Sequence, residues 1–241
     1  MTKNLILIAF CFTVGCASHP KPVAPAPTPA PETQVAPEEA PAFIQELKGP
    51  PARGSKADHA DYKTLRDLQN SRTKEECERA KSEVKISLAS LYGGPYGPLN
   101  NAEVNQWSNF FEIVGREADE YVHIAKKNFQ RPRPYLSHHD LHPCIHREPS
   151  FSYPSGHAAL SRFYMHVLEE IYPQMAVDLE KRADQIALDR NIGGVHYPSD
   201  IKDGKFLGDK IFEYLVRTGH LKNRIHDKMS ELGGVSKEIV Q

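Results

Sequence analysis

The chain of 241 residues lacks any apolar run near the length of about 20 residues that a bilayer-crossing helix needs. Its best candidate, Leu5 to Val14, is too short, so the folded body is expected outside the membrane. An excess of either charge is also missing: 30 basic and 31 acidic residues leave a formal net charge of -1, and nothing argues for nucleic acid as a partner. The glycine-rich stretch "YGGPYGP" lacks the Gly-Lys-Ser/Thr ending of a phosphate-cradling loop, so it reads as a turn. No internal repeat is present. Alternating apolar and polar residues, the mark of half-buried strands, are absent too, which excludes a sheet-based core.

What is present begins with Lys3, the short apolar run and then small residues, the layout of an export signal over residues 1–15. Gly15-Cys16-Ala17 resembles the bacterial lipobox, whose cysteine is lipidated and becomes the new N-terminus; Thr13 stands where that motif usually has leucine. The expectation is a periplasmic or cell-envelope protein anchored to the outer membrane through Cys16, or otherwise a secreted one. Residues 16–56 are dominated by proline and alanine without apolar periodicity, and are expected to form a disordered tether. Residues 57–241 are long enough to bury the core of one domain. Cys11 and Cys16 belong to the signal. That leaves Cys77 and Cys144 in an oxidising compartment, where a single disulfide between them is expected.

Within the domain the apolar residues recur at helical spacing. Thr73 and Glu76 form a capping box ahead of Cys77, Ala80, Val84 and Leu88, predicting a helix up to Leu91. From Asn101, Val104, Trp107, Phe111, Val114, Ala118, Tyr121 and Ala125 mark a long amphipathic helix that Pro132 and Pro134 end. Further helices are predicted from about Ser155 to Ile171, from Gln174 to about Arg190, and, as the last major one, from Ser199 to Val216. Gly204 and Gly208 fall on one face of that last helix, where a closely packed neighbour would explain them. The fold class read from this pattern is all-α, a single helical-bundle domain.

Three separated segments concentrate the groups that a phosphate ester needs. In "YPSGHAALS" a turn runs into a helix start, whose N–H groups and dipole favour a bound anion, and His157 sits one residue past the turn. In "KKNFQRPRP", Lys126 and Arg133 flank a helix end, with Lys127 one register step away. In "RNIGGVHYPSD", Arg190 closes a helix, two glycines let the chain turn, and Asp200 follows His196 by four residues. That spacing lets the carboxylate accept one imidazole N–H and leaves the other nitrogen free to attack. The histidines of "SHHDLHPCIH" (His138, His139, His142 and His146) fit no strong zinc template and read as a solvated loop near the pocket mouth.

Lys-x6-Arg-Pro at Lys126 to Pro134, Pro-Ser-Gly-His at Pro154 to His157 and Arg-x5-His-x3-Asp at Arg190 to Asp200 together resemble the signature of the type 2 phosphatidic acid phosphatase (PAP2) superfamily. The resemblance covers about Arg72 to Val216 and is nearest to the bacterial class A non-specific acid phosphatases. It departs in one place: Asp189 stands where the family usually has serine. The resemblance implies a metal-independent acid phosphatase with no cofactor. His196 would be the nucleophile, oriented by Asp200, and His157 the general acid and base. Lys126, Arg133 and Arg190 would hold the phosphate oxygens, helped by the Ser155 hydroxyl and the backbone N–H groups of Ser155 and Gly156. Implied partners are small phosphomonoesters, with a membrane met only through the N-terminal lipid and a homo-oligomer left open. The alternatives are a lipid-phosphate phosphatase at the envelope, a vanadate-dependent haloperoxidase, or a phosphate-binding lipoprotein without turnover.

Overall fold

The computed structural model describes residues 41–238, and their side chains except those of 220 and 234–238. The expected export signal, the expected lipidation site Cys16 and the expected tether as far as residue 40 lie outside the described residues. Ten helices follow in order: α1 (Ala42–Gln45), α2 (Lys56–Ser71), α3 (Lys74–Ser82), α4 (Leu88–Tyr92), α5 (Asn101–Phe129), α6 (Pro134–Ser137), α7 (Gly156–Ile171), α8 (Ala176–Ile192), α9 (Pro198–Arg217) and α10 (His220–Glu238). No strand occurs among the described residues. The all-α fold inferred from the apolar spacing is the fold observed.

The core forms around α7. Ala158, Ala159, Leu160, Phe163, Tyr164, Met165, Val167 and Leu168 are all buried, so this helix is apolar on nearly every side and is surrounded by α5, α8 and α9. Each large side chain of this kind contributes about 1.5–3 kcal/mol by leaving water. Trp107, Phe111 and Val114 of α5, Leu179 and Ile186 of α8, and Leu207 and Ile211 of α9 complete the core.

Gly204 and Gly208 explain how α9 comes so close. A Cβ on Gly204 would lie 2.6 Å from the Ser155 carbonyl oxygen, and one on Gly208 would lie 2.3 Å from that of Ala159. The small-residue face foreseen in the sequence is therefore the α7–α9 contact, and it seats the Pro-Ser-Gly-His turn directly on α9. Gly208→Ala is expected to lose about 1–3 kcal/mol to overpacking despite alanine's better helix propensity. At about 2–4 °C per kcal/mol for a domain of this size, a melting curve checks it. An unchanged midpoint would contradict the close approach.

Three expectations need correction. The tether does not continue to residue 56: Phe43, Ile44 and Leu47 bury their side chains in the main core, and the Phe43 ring lies 5.4 Å from Tyr214 and 5.6 Å from Tyr121. Proline-rich composition hid these three apolar residues. The single helix expected from Thr73 to Leu91 is two, α3 and α4, separated around Glu83. Glu83 is fully buried, and its carboxylate and carbonyl are used elsewhere, as described below. The helix ending near Val216 is followed by α10, whose Leu221 and Ile225 are buried in the same core.

Candidate active site

Four elements deliver the functional side chains. The last turn of α5 carries Lys126, which is buried while Lys127 is exposed, so the register places Lys126 at the site. Gln130, in a left-handed conformation with φ 48°, ends α5, and the next residues turn inward to give Arg133. Lys126 Nζ donates to the Phe151 carbonyl at 2.6 Å. Arg133 donates from Nε to the Ser150 carbonyl at 2.8 Å and from Nη1 to the Val195 carbonyl and to His196 Nε2, both at 2.9 Å.

Residues Gly193 to Tyr197 connect α8 to α9 and hold His196. Gly194 has φ +78°, and a Cβ added to it would lie 3.2 Å from Pro143 Cα, a conformation and an approach suited to glycine. Asn191 Nδ2 donates to the His196 carbonyl at 2.8 Å. With Nε2 accepting from Arg133, the imidazole proton lies on Nδ1, which faces Asp200 Oδ2 at a long 3.4 Å. Asp200 is fully buried and saturated with donors: Arg131 Nη1 at 2.6 Å, Ser152 Oγ at 2.5 Å and the Tyr197 N–H at 2.9 Å.

His157 occupies the second position of α7. Its Nε2 lies 3.0 Å from the Glu83 carbonyl and 3.2 Å from that of Val84. Two carbonyls can only accept, so Nε2 carries the proton and Nδ1 is the nitrogen left for exchange with a ligand. Ser155 caps the helix: its hydroxyl oxygen accepts from the Ala158 N–H, and its own N–H donates to the Asp200 carbonyl at 3.0 Å. That last bond corrects one expectation. The Ser155 N–H is already committed and does not cradle an anion, whereas the N–H groups of Gly156 and His157 meet no acceptor among the described residues.

Arg190 is 1% exposed and ties α8 to the break between α3 and α4. Its Nη2 donates to Glu83 Oε2 at 2.9 Å and to the Ala80 carbonyl at 2.7 Å, while its Nε is a buried donor without a partner among the described residues. Arg182 reaches the other oxygen of Glu83 at 2.8 Å. Asp189, at the position where the resemblance has serine, forms a two-bond pair with Arg79, each bond 2.8 Å, and is fully buried. The departure therefore exchanges a hydroxyl for an ion pair that joins α8 to α3.

The site is strongly cationic. Burial, then the charges of Arg190 and His196, hold the His157 imidazole well below its ordinary value. Burial, then Arg133, Lys126 and Arg190, do the same to His196, opposed by a hydrogen bond to the Ser152 backbone. Burial, then Arg133, push Lys126 down to about 7. Such mutual repulsion is the condition that a bound anion relieves.

All eight side chains and backbone groups singled out at the site fall in this one region or on the helix start that faces it. The remaining predicted residues are also placed. Cys77 and Cys144 are joined by a disulfide between α3 and the loop before α7, and the Cys144 N–H donates to the Gly193 carbonyl at 3.1 Å. In the histidine loop, His138 stacks on Tyr62 at 4.3 Å and lies 6.2 Å from the Tyr197 ring, while His139, His142 and His146 are exposed or nearly so. No cluster of three or more metal-ligating side chains occurs among the described residues.

Sequence reasoning missed Glu83, Arg131 and Asp61. Arg131 stacks 3.7 Å over the Tyr197 ring and bridges Asp200 to Asp61 of α2, at 2.6 Å and 3.0 Å. Asp61 in turn accepts from Ser199. The signal for Arg131 was the second arginine of "QRPRP". For Glu83 and Asp61 only a carboxylate within a helical pattern was visible.

The arrangement is a buried pair of imidazoles with tautomers set by fixed partners, ringed by one lysine and two arginines at a helix start, a charge distribution suited to an oxyanion. No family model matches the chain. It is similar to the non-specific acid phosphatase of Salmonella typhi, 29% identical over 50% of this chain and 49% of that protein. An acid phosphatase of Zymomonas mobilis is 25% identical over 67% and 64%, and a non-specific acid phosphatase of Providencia stuartii 24% over 79% and 81%. The chain spans about half the length of the Salmonella proteins it matches. Among solved structures, the fold resembles that of a bacterial vanadium-dependent iodoperoxidase, with TM-score 0.50, 19% identity and 73% and 53% of the two chains covered. A transmembrane PAP2-type phosphatidylglycerolphosphate phosphatase from Bacillus subtilis gives TM-score 0.49 and 16% identity over 75% and 92%. With its three motifs gathered in one site, the chain is similar to the bacterial non-specific acid phosphatases in sequence and to the iodoperoxidase in fold.

Proposed function

We propose that the protein is a phosphatase that hydrolyses small phosphomonoesters through a phosphohistidine at His196, exported and lipid-anchored through Cys16. The observation that carries this reading is the pairing of Arg133 Nη1 with His196 Nε2 at 2.9 Å, which puts a phosphate-binding cation and the nucleophilic lone pair at one point. His196 Nε2 attacks phosphorus and the bond to the leaving oxygen breaks, with His157 Nδ1 supplying a proton to the departing alkoxide. Water then attacks phosphorus while His157 Nδ1 takes up its proton, the phosphorus–nitrogen bond breaks with its electron pair returning to His196 Nε2, and inorganic phosphate leaves. Lys126, Arg133 and the unpartnered Nε of Arg190 neutralise the oxygens, with the Gly156 and His157 N–H groups at the helix start. Fixed cations in this number perform the charge neutralisation that phosphoryl transfer requires.

Brief reaction with an aryl phosphate in the presence of a chelator, followed by quenching at alkaline pH, is expected to leave phosphate on His196. Label on another residue, or none during active turnover, would exclude the mechanism. Supplying vanadate and a halide separates this reading from a haloperoxidase, and comparison with a phospholipid-derived phosphate separates it from a lipid phosphatase.

The pH dependence follows from the charges. The form that binds has protonated Lys126, and in the free protein that group sits at about 7, so its charge is present below pH 7 and lost as pH rises through it. His157 is neutral in the free protein, and its proton arrives with the monoanionic ester, whose second ionisation lies near 6. Both effects lower kcat/KM as pH rises from about 6 to 8. A kcat/KM that climbs through this interval contradicts the assignment.

A further inference from the structure

Three consecutive residues, Ser150, Phe151 and Ser152, hold nearly the whole site by their polar groups. The Ser150 carbonyl and hydroxyl take Arg133, the Phe151 carbonyl takes Lys126, the Ser152 hydroxyl donates to Asp200, and the Ser152 backbone bonds His196. The Phe151 backbone is thus fastened between the two cations of the first motif. Its side chain is 40% exposed, and no aromatic stacking partner occurs among the described residues. The groups expected to hold phosphate are buried: Lys126, Arg133, Arg190, His196 and Asp200 are each at most 7% exposed. An ester that places its phosphoryl group among them must leave its remainder toward solvent, and the partly exposed Phe151 belongs to the segment that holds both Lys126 and Arg133.

We infer that Phe151 is a specificity-determining residue that stacks on the leaving group, so that the site prefers phosphomonoesters of planar aromatic alcohols to those of small aliphatic ones. This rests on the phosphatase reading above and adds the class of ester. An unsatisfied aromatic face held at a fixed point gives contact area at little cost in ordering, and partial exposure puts its contribution at the low end for aromatic stacking.

The test measures binding and turnover. Wild-type protein is expected to bind phenylphosphonate about five- to tenfold more tightly than methylphosphonate, and kcat/KM for phenyl phosphate is expected to exceed that for glycerol 2-phosphate. Phe151→Ala should remove the binding preference, lower the kcat/KM ratio by about the same five- to tenfold and leave the affinity for inorganic phosphate within about twofold, while Phe151→Trp should keep both. Equal losses for aromatic and aliphatic ligands, or a binding preference that survives Phe151→Ala, would overturn the role of Phe151 alone. If wild-type protein binds no phosphate or phosphonate, the phosphatase reading fails, and the inference with it.

Discussion

His196→Ala is expected to abolish phosphate release, lowering kcat by ~10⁴-fold or more, as removal of an enzyme's nucleophile does. The variant should still fold. Arg133, which loses its acceptor on Nε2, keeps the Val195 and Ser150 carbonyls, and the cavity left by the imidazole lies in a polar site. Phosphate binding should persist, because Lys126, Arg190 and the α7 start are untouched. The measurement is therefore a pair: a steady-state assay and a titration with inorganic phosphate. Retention of more than about one per cent of turnover would assign the nucleophile elsewhere, whereas loss of phosphate binding with intact turnover is incompatible with the site altogether. His157→Ala should behave differently. It should impair esters of poorly acidic alcohols most, since these need the proton, and aryl esters least.

Glu83→Gln is expected to produce the largest loss of stability, about 3–5 kcal/mol, because it removes the counter-charge from two buried guanidiniums at once. Arg190 and Arg182 are 1% and 5% exposed and cannot shed their protons. Burial and the Asp189 carboxylate push Glu83 upward, to about 7, while both guanidiniums pull it back. The ionised form is the one they hold above about pH 7, where the melting curves are to be compared. At about 2–4 °C per kcal/mol the melting midpoint should fall by roughly 10 °C. Activity should fall at temperatures where the variant is still folded, because Arg190 loses an anchor and the Glu83 and Val84 carbonyls that fix the His157 tautomer move with it. Unchanged melting would show that Glu83 is neutral in the fold. Unchanged kcat/KM in a destabilised variant would show that Arg190 does not depend on it.

The groups of the candidate site were legible because their sequence patterns are local. The four-residue step from His196 to Asp200, the turn before His157 and the helix end at Lys126 are short-range patterns, and each restricts backbone and side-chain direction by itself. The long α5 and the glycine face of α9 were legible for the same reason: helical periodicity repeats along the chain and announces which face is buried. Glu83 was not. A carboxylate at helical spacing looks solvated, and only the approach of α8 from 107 residues away in sequence reveals that it meets Arg190. The pairing of Arg131 with Asp61 is hidden likewise, since it joins α2 to the end of α5 across 70 residues.

Alone, the amino-acid order determined a helical domain, the three motifs and the residues that meet at the candidate site, because helix formation, capping and turns are decided by neighbours within about a turn. Tertiary structure decided which imidazole nitrogen carries its proton, which of two adjacent lysines enters the site, that the Ser155 N–H is occupied, and that the Phe151 carbonyl holds Lys126 while its ring is partly exposed. Those depend on the relative placement of helices distant in sequence, and charge and desolvation act through space rather than along the chain.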